Sequence, residues 1–214
     1  MNVVRLPHRD PKTVEPTPDF STHILRIPQG IAPDSLAVVG VIKDYLSLRS
    51  TIFTRQKGWQ VWLPTNNDLD QYDQHDAVYV IAQDDVTGAV LGGARLLRTD
   101  RYGSAANGLS YMIRDACLGR LPGLPRDLCD DVPPQDALTW EVTRFVSDGT
   151  KHVPLSLLNA GYSFLRSERA RTVLYLGPPS LKRLAAQARQ EPVALGPVRG
   201  NDDGRFQVFQ CNLI

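Results

Sequence analysis

A mixed α/β sheet with helices packed on it is the fold class this sequence predicts, and two patterns carry the prediction. Apolar runs at 77–83 and 89–97 flank a turn-forming stretch at 84–88, which is the pattern of an antiparallel hairpin. A third run at 138–146 is followed by helix-period residues over 154–169 and by another run at 171–176, the pattern of a crossover between two strands of one sheet. Strands outnumber core helices, and 214 residues suffice for one well-buried core, so a single domain is expected.

In chain order, residues 1–22 carry Pro7, Pro11, Pro16 and Pro18 among polar and charged residues. Proline's fixed φ and missing N–H prevent a continuous helix there, so this stretch reads as a flexible proline-rich extension and the domain as 23–214. After Pro33, Asp34 or Ser35 can cap a helix whose Leu36, Val39, Ile42 and Leu46 recur at helical spacing, leading to Arg49 and Phe53. Residues 63–76, rich in Asn and Asp and holding Pro64, form a loop. Gly92 and Gly93 inside the second hairpin strand predict a bulge or a close approach of another group to the backbone. Residues 100–136, rich in Gly, Pro and Asp, read as a long and partly helical surface excursion. The crossover helix aligns Leu155, Leu158, Tyr162 and Leu165 on one face, Pro178 and Pro179 open a further helix through 190, and 205–213 closes as a strand.

Composition excludes several classes of function. Formal net charge is +1, from 24 basic and 23 acidic residues, so no electrostatic footprint calls for nucleic acid or an anionic membrane. No apolar run approaches the roughly 20 residues of a membrane span, and the N-terminus lacks the basic-then-apolar layout of a secretory signal, so a cytoplasmic protein is expected. Cys117, Cys129 and Cys211 are odd in number and lack metal-type spacing, which predicts free thiols in a reducing compartment and no metal site. His8, His23, His75 and His152 are scattered and pair with no serine or cysteine nucleophile, so a triad hydrolase is not expected.

The informative residues are charged. Asp68, Asp70 and Asp73 lie close together in a loop and can bind a cation, pair with arginines or simply solvate the loop. A calcium loop is disfavoured, because the central glycine and distal glutamate of that motif are missing. Arg49, Arg95 and Arg144 sit on segments read as helix or strand, where an arginine stem packs while its head reaches a partner. Glu141 stands in an otherwise apolar strand, where a carboxylate without partners would be costly. Trp140 and Phe145 on the same strand, and Trp62, suit core packing.

The order Arg49-xxx-Phe53-xxxxx-Trp59, then Asp68-x-Asp70-xx-Asp73, then Arg95-Leu96-Leu97-x-Thr99, then Trp140-Glu141-Val142-Thr143-Arg144-Phe145 resembles the acyl-homoserine-lactone synthases, the LuxI-type autoinducer synthases of bacterial quorum sensing. The resemblance runs from about residue 25 to 211. It implies a GNAT-like acyltransferase fold, a twisted mixed sheet splayed where the pantetheine arm of an acyl donor lies. It implies transfer of an acyl group from acyl carrier protein or acyl-CoA to the amine of S-adenosylmethionine, then lactone closure with release of methylthioadenosine. S-adenosylmethionine would be a substrate, with no cofactor. Some positions depart from the family pattern: Asp68 replaces a glutamate, Arg98 a proline, and Cys117 a phenylalanine.

Carried onto this chain, the resemblance implies catalytic roles for Glu141, Arg144, Asp70, Asp73 and Arg95, with Glu141 the expected general base. Arg49, Phe53, Trp59 and Asp68 would bind S-adenosylmethionine, the rings through stacking and cation–π attraction to the sulfonium. Trp140, Leu174 and Leu176 would line the acyl pocket. Glu141 and Arg144 point to opposite faces of a regular strand, so a bulge must intervene or the two serve different clusters. Lys151, Arg166, Arg169, Arg171, Lys182 and Arg183 can form a basic face for an acidic carrier protein or a merely solvated one. The stretch 173–177 lacks the threonine found with 3-oxo acyl chains, which favours an unsubstituted, branched or aryl acyl group. The competing readings are a GNAT-type acyltransferase acting on another amine and a non-catalytic S-adenosylmethionine-binding module.

Overall fold

A computed structural model describes residues 19–30, 32–56, 69–74, 76–101, 110–121, 124–125, 127–201 and 204–213. Its path runs through β1 (Phe20–Arg26), α1 (Ser35–Ser50) and a π-helical turn (Thr51–Gln56) into the hairpin β2 (Val78–Asp84) and β3 (Val90–Arg98). The short helix α2 (Met112–Cys117) and strand β4 (Thr139–Ser147) come next, followed by α3 (Val153–Ser167), β5 (Thr172–Gly177) and α4 (Pro179–Gln187). Strands β6 (Val193–Ala194), β7 (Arg199–Asn201) and β8 (Gly204–Asn212) complete the chain. The sheet order is β1-β2-β3-β4-β5-β8-β6, with β7 paired to β8. β4 and β5 are parallel, as a crossover through α3 requires, and the other pairs are antiparallel.

Two expectations need correction. Phe20–Thr22, expected in the extension, belong to β1, which pairs along its whole length with β2; an edge strand needs little burial, so its apolar signal is weak. The α1 stripe is also displaced: Leu36 and Val39 are 80% and 47% exposed, while Ile42, Tyr45, Leu46 and Arg49 are buried. The apolar residues of α1 lie all round the helix, so the buried face is set by which side holds Tyr45 and Arg49.

Three apolar groups fill the molecule. One, between the sheet and α3 and α4, includes Val80, Leu96, Trp140, Leu157, Leu165 and Val173. A second lies under α2 with Leu97, Ile113, Leu128, Leu174 and Phe206, and a third joins α1 to β2 through Tyr45, Phe53 and Tyr79. Among the described residues no helix is long and apolar enough to cross a membrane.

Two local features position the site. A Cβ on Gly93 would lie 2.7 Å from the Tyr45 ring and one on Gly92 2.7 Å from the Val146 carbonyl oxygen, so α1 and β4 approach the backbone closely at both glycines. The β4–β5 ladder runs only from Thr139–Thr172 to Val142–Tyr175. Beyond it β4 stays with β3 and β5 with β8, so the two strands part and leave an opening between them.

Candidate active site

The site is built where β4 leaves β5. Arg144 has φ +55°, and opposite it the β3 register shifts between Gly93 and Arg95. Thr143 faces Arg95 and Val146 faces Gly93, so Arg144 and Phe145 together form a bulge. This bulge answers the question of strand parity, since it releases the Arg144 side chain from the alternation that Glu141 obeys. A left-handed arginine is strained, and the Tyr45 hydroxyl offsets part of that cost by donating to the Arg144 carbonyl at 2.8 Å.

Arginines from three elements converge on two aspartates. Arg49, at the end of α1, makes a forked contact with Asp73 at 2.9 and 3.2 Å. Arg95, from β3, reaches Asp70 at 2.5 Å and Asp73 at 3.1 Å. Arg144 reaches the other Asp70 oxygen through Nε at 2.9 Å and a terminal nitrogen at 2.7 Å. Tyr79 donates to Asp73, and the Asp70 and Tyr72 amides fold the 70–73 turn around the two carboxylates. Although burial opposes it, Arg95, Arg144 and Arg49 hold the Asp70 carboxyl well below the usual carboxylate range, and Arg95 and Arg49 lower that of Asp73. Among the described residues three guanidiniums meet the carboxylates of Asp70 and Asp73 here, and of the three Arg144 is the one on the cavity wall. Asp70 and Asp73 are thus engaged in fixing arginines, Arg49 among them.

Glu141 is fully buried and sits behind this cluster. Its oxygens accept from the amides of Ile113 at 2.9 Å and Met112 at 3.3 Å, at the start of α2. Burial pushes its carboxyl up to about 7, against the opposing pull of Arg95 and the two amides. The group therefore exchanges its proton near neutrality. Arg95, whose charge pulls on Glu141, donates to the Thr143 hydroxyl on the cavity wall at 3.3 Å.

A cavity of roughly 470 Å3 fills the parting of the strands. Phe53, Thr143, Arg144 and Phe145 line it beside the charged cluster, Pro154, Leu181 and Leu184 toward α3 and α4, and Met112, Leu124, Leu176 and Phe206 toward α2. The Arg144 guanidinium lies over the Phe53 ring, 5.5 Å from its centroid. The cluster and the cavity thus share one wall.

Of the residues expected in the site, Arg49, Phe53, Asp70, Asp73, Arg95, Glu141 and Arg144 come together, and Leu176 lines the cavity. Trp59 and Asp68, like Trp62, lie outside the described residues. Trp140 and Leu174 do not line the cavity: Trp140 packs edge-on against Phe164 in the α3 core and Leu174 is buried under α2. Phe145, expected in the core, lines the cavity while packing against that core. Met112, Leu124, Thr143, Leu181 and Phe206 were not anticipated, and only Thr143, between Glu141 and Arg144, carried a signal in its position. Cys117 and Cys129 are joined in a disulfide, where free thiols were expected, and Cys211 is free and buried. Among the described residues no group of three or more His, Cys, Asp or Glu is placed to hold a metal.

A splayed mixed sheet with a cavity at the parting of its parallel pair, backed by a titratable carboxyl, defines an N-acyltransferase-like fold. A putative N-acetyltransferase from Lactobacillus plantarum shares it at a TM-score of 0.57 with 11% identity, over 91% of this chain and 99% of that one. The autoinducer synthase family matches residues 35–118, which include Arg49, the 70–73 turn and Arg95. An acyl-homoserine-lactone synthase from Acinetobacter nosocomialis is 25% identical over 184 residues, 80% of this chain and 91% of the relative. BjaI, a CoA-dependent acyl-homoserine lactone synthase whose structure holds SAM and isopentyl-CoA, superposes at a TM-score of 0.69 with 18% identity, over 92% of this chain and 84% of its own. Over these stretches the chain is similar to the autoinducer synthases.

Proposed function

We propose that this protein is an acyl-homoserine-lactone synthase that carries an acyl group from a thioester donor to the amine of S-adenosylmethionine and then closes the lactone. The observation that carries the reading is the shared wall at Thr143–Arg144, where an apolar cavity suited to an acyl chain meets a buried ionic cluster. S-adenosylmethionine brings a carboxylate, an ammonium and a sulfonium, and the Arg144 guanidinium on the cavity wall suits the carboxylate. Phe53, already under a guanidinium, suits the sulfonium and the adenine face. Arg144, 11% exposed on its side chain and lining the cavity, is the cluster's contact with substrate, and Arg49 and Arg95 hold the aspartates that orient it.

The amine must be neutral to attack. Glu141 takes its proton through one bridging water, the fit being best when the carboxyl titrates near the working pH. The amine nitrogen then bonds the thioester carbon, the carbon–sulfur bond breaks, and the departing thiolate takes up the proton that the nitrogen sheds in becoming the amide. In the second step the carboxylate oxygen attacks the carbon bearing the sulfonium, and methylthioadenosine departs with the bonding pair. S-adenosylmethionine enters as a substrate, and neither step calls for a resident cofactor. Acyl-CoA and acyl carrier protein both remain candidate donors, and a cytoplasmic location, where both are made, is what this reading implies.

The test is incubation of the purified chain with S-adenosylmethionine and a panel of acyl-CoA and acyl carrier protein thioesters, followed by mass spectrometry. Acyl-homoserine lactone and methylthioadenosine in equal amounts are expected, with Arg144→Ala losing most of both while its circular dichroism is unchanged. Acylation of another amine with no methylthioadenosine would sink the reading in favour of a different acyltransferase. Binding of S-adenosylmethionine without turnover would leave a binding module.

A further inference from the structure

We propose that Cys117 and Cys129 are a redox-responsive tether on the wall of the acyl pocket, so that their oxidation state sets which acyl-chain lengths the enzyme prefers. The inference rests on reading the cavity as the acyl pocket. The two cysteines lie 12 residues apart with Cα atoms 5.6 Å apart, within the range a disulfide spans. Cys117 ends α2, whose first residue, Met112, lines the cavity. Leu124, inside the loop that the disulfide closes, lines it too.

The far end of the tether is anchored. Leu128 is fully buried, the Asp130 amide donates to the Leu195 carbonyl at 2.8 Å, and a Cβ added to Gly196 would lie 2.9 Å from the Cys129 Cα. The disulfide therefore transmits a fixed position from the β6 side to the C-terminal end of α2. The N-terminal end of α2 has its own ties, the two amides on Glu141 and the Tyr111 hydroxyl donating to the Pro134 carbonyl at 2.5 Å. Opening the disulfide thus loosens the Leu124 wall and leaves the Glu141 contacts in place. A change in acyl preference with the chemistry retained is the signature this arrangement predicts.

Both cysteines are partly exposed, unlike Cys211, so a soluble thiol or disulfide can reach them. In closing, the thiolate of one cysteine attacks glutathione disulfide and releases one glutathione; the second cysteine attacks the mixed disulfide and releases the other. Two protein thiols are oxidised and one glutathione disulfide is reduced.

The experiment compares the protein equilibrated with glutathione disulfide and with reduced glutathione, using hexanoyl and dodecanoyl thioester donors with S-adenosylmethionine. Intact mass should show the loss of two hydrogens in the oxidised sample. Reduction should raise the dodecanoyl-to-hexanoyl ratio of kcat/KM by about three- to ten-fold. The Cys117→Ser, Cys129→Ser double variant should keep the higher ratio in both buffers. No crosslink by mass, or a crosslink with an unchanged ratio, overturns the tether while leaving the synthase reading intact. No methylthioadenosine from either donor in either state overturns the synthase reading and the tether with it.

Discussion

The charged cluster and the apolar cavity share the Thr143–Arg144 wall, yet they are made in opposite ways. In the cluster each charge is held by several others, Asp70 by Arg95 and Arg144 and Asp73 by Arg49, Arg95 and Tyr79. In the cavity the lining is mostly apolar, drawn from seven separate stretches of chain, and each residue contributes area and little direction. Removing one member of a buried ionic network strands the others, whereas trimming one apolar wall residue changes volume and little else. The two halves should therefore fail differently: the cluster through stability and rate, the cavity through selectivity.

The largest effect is expected from Arg95→Leu. Loss of this guanidinium leaves Asp70 and Asp73 buried with fewer partners, a change of the kind that costs about 3–5 kcal/mol. Chemical denaturation should show it, and a variant within about 1 kcal/mol of the parent would mean that the cluster is not a cooperative unit. Because both aspartates have depressed folded-state values, their share of stability is present above the ordinary carboxylate range and is lost as pH falls below it.

Glu141→Gln comes next, with a fall in kcat of about 10²–10³-fold and a fold that survives. Its pH behaviour has the opposite sign from that of the aspartates. The Glu141 carboxyl is raised to about 7, so the native state holds its proton longer than the unfolded chain, and Glu141 removes stability as pH rises toward that value. Glu141→Gln should therefore gain on the parent as pH increases from 5 to 8, read as the difference in melting temperature. The parent's kcat should climb through the same interval and then level. A parent rate flat across it would remove Glu141 from proton transfer.

This contrast also explains what could be read in advance. The cluster was legible because arginine, aspartate and glutamate are costly to bury, so their recurrence in apolar segments such as 141–144 marks a site before any fold is known. The hairpin and the crossover were legible through period and turn chemistry, and the close approach at Gly92 and Gly93 through the missing side chains. The cavity was not legible. Leu176 and Leu174 sit two positions apart on one strand and are equally apolar, yet one lines the opening and the other is sealed under α2, a difference set by where β5 parts from β4. The Arg144 bulge depends on a tertiary contact from Tyr45, 99 positions away in the chain, and short-range pattern cannot contain it.

Tyr45→Phe sharpens the comparison because it deletes one hydroxyl and keeps the ring against Gly93. The Arg144 carbonyl loses its donor, and the left-handed bulge loses one of its restraints, for about 1–2 kcal/mol. The loss should appear as a roughly ten-fold lower kcat/KM for S-adenosylmethionine with the acyl-donor preference unmoved. An equal shift for both substrates would show a general loosening instead of a displaced Arg144.

The smallest effect belongs to the cavity. Leu184, on α4, is only partly buried and lines the opening without belonging to the ionic network. Leu184→Ala removes apolar surface that is already partly in water, so its stability cost should stay below about 1 kcal/mol. It widens the α4 side of the cavity, and discrimination between donors differing by two methylenes should change by about three- to ten-fold, with the kcat of the best donor kept within about two-fold. Steady-state comparison of a homologous series of acyl donors measures this directly. If Leu184→Ala instead lowered kcat for every donor alike, the α4 wall would be coupled to the cluster, and the division between a region that sets rate and one that sets selectivity would fail at the residue where it should hold most cleanly.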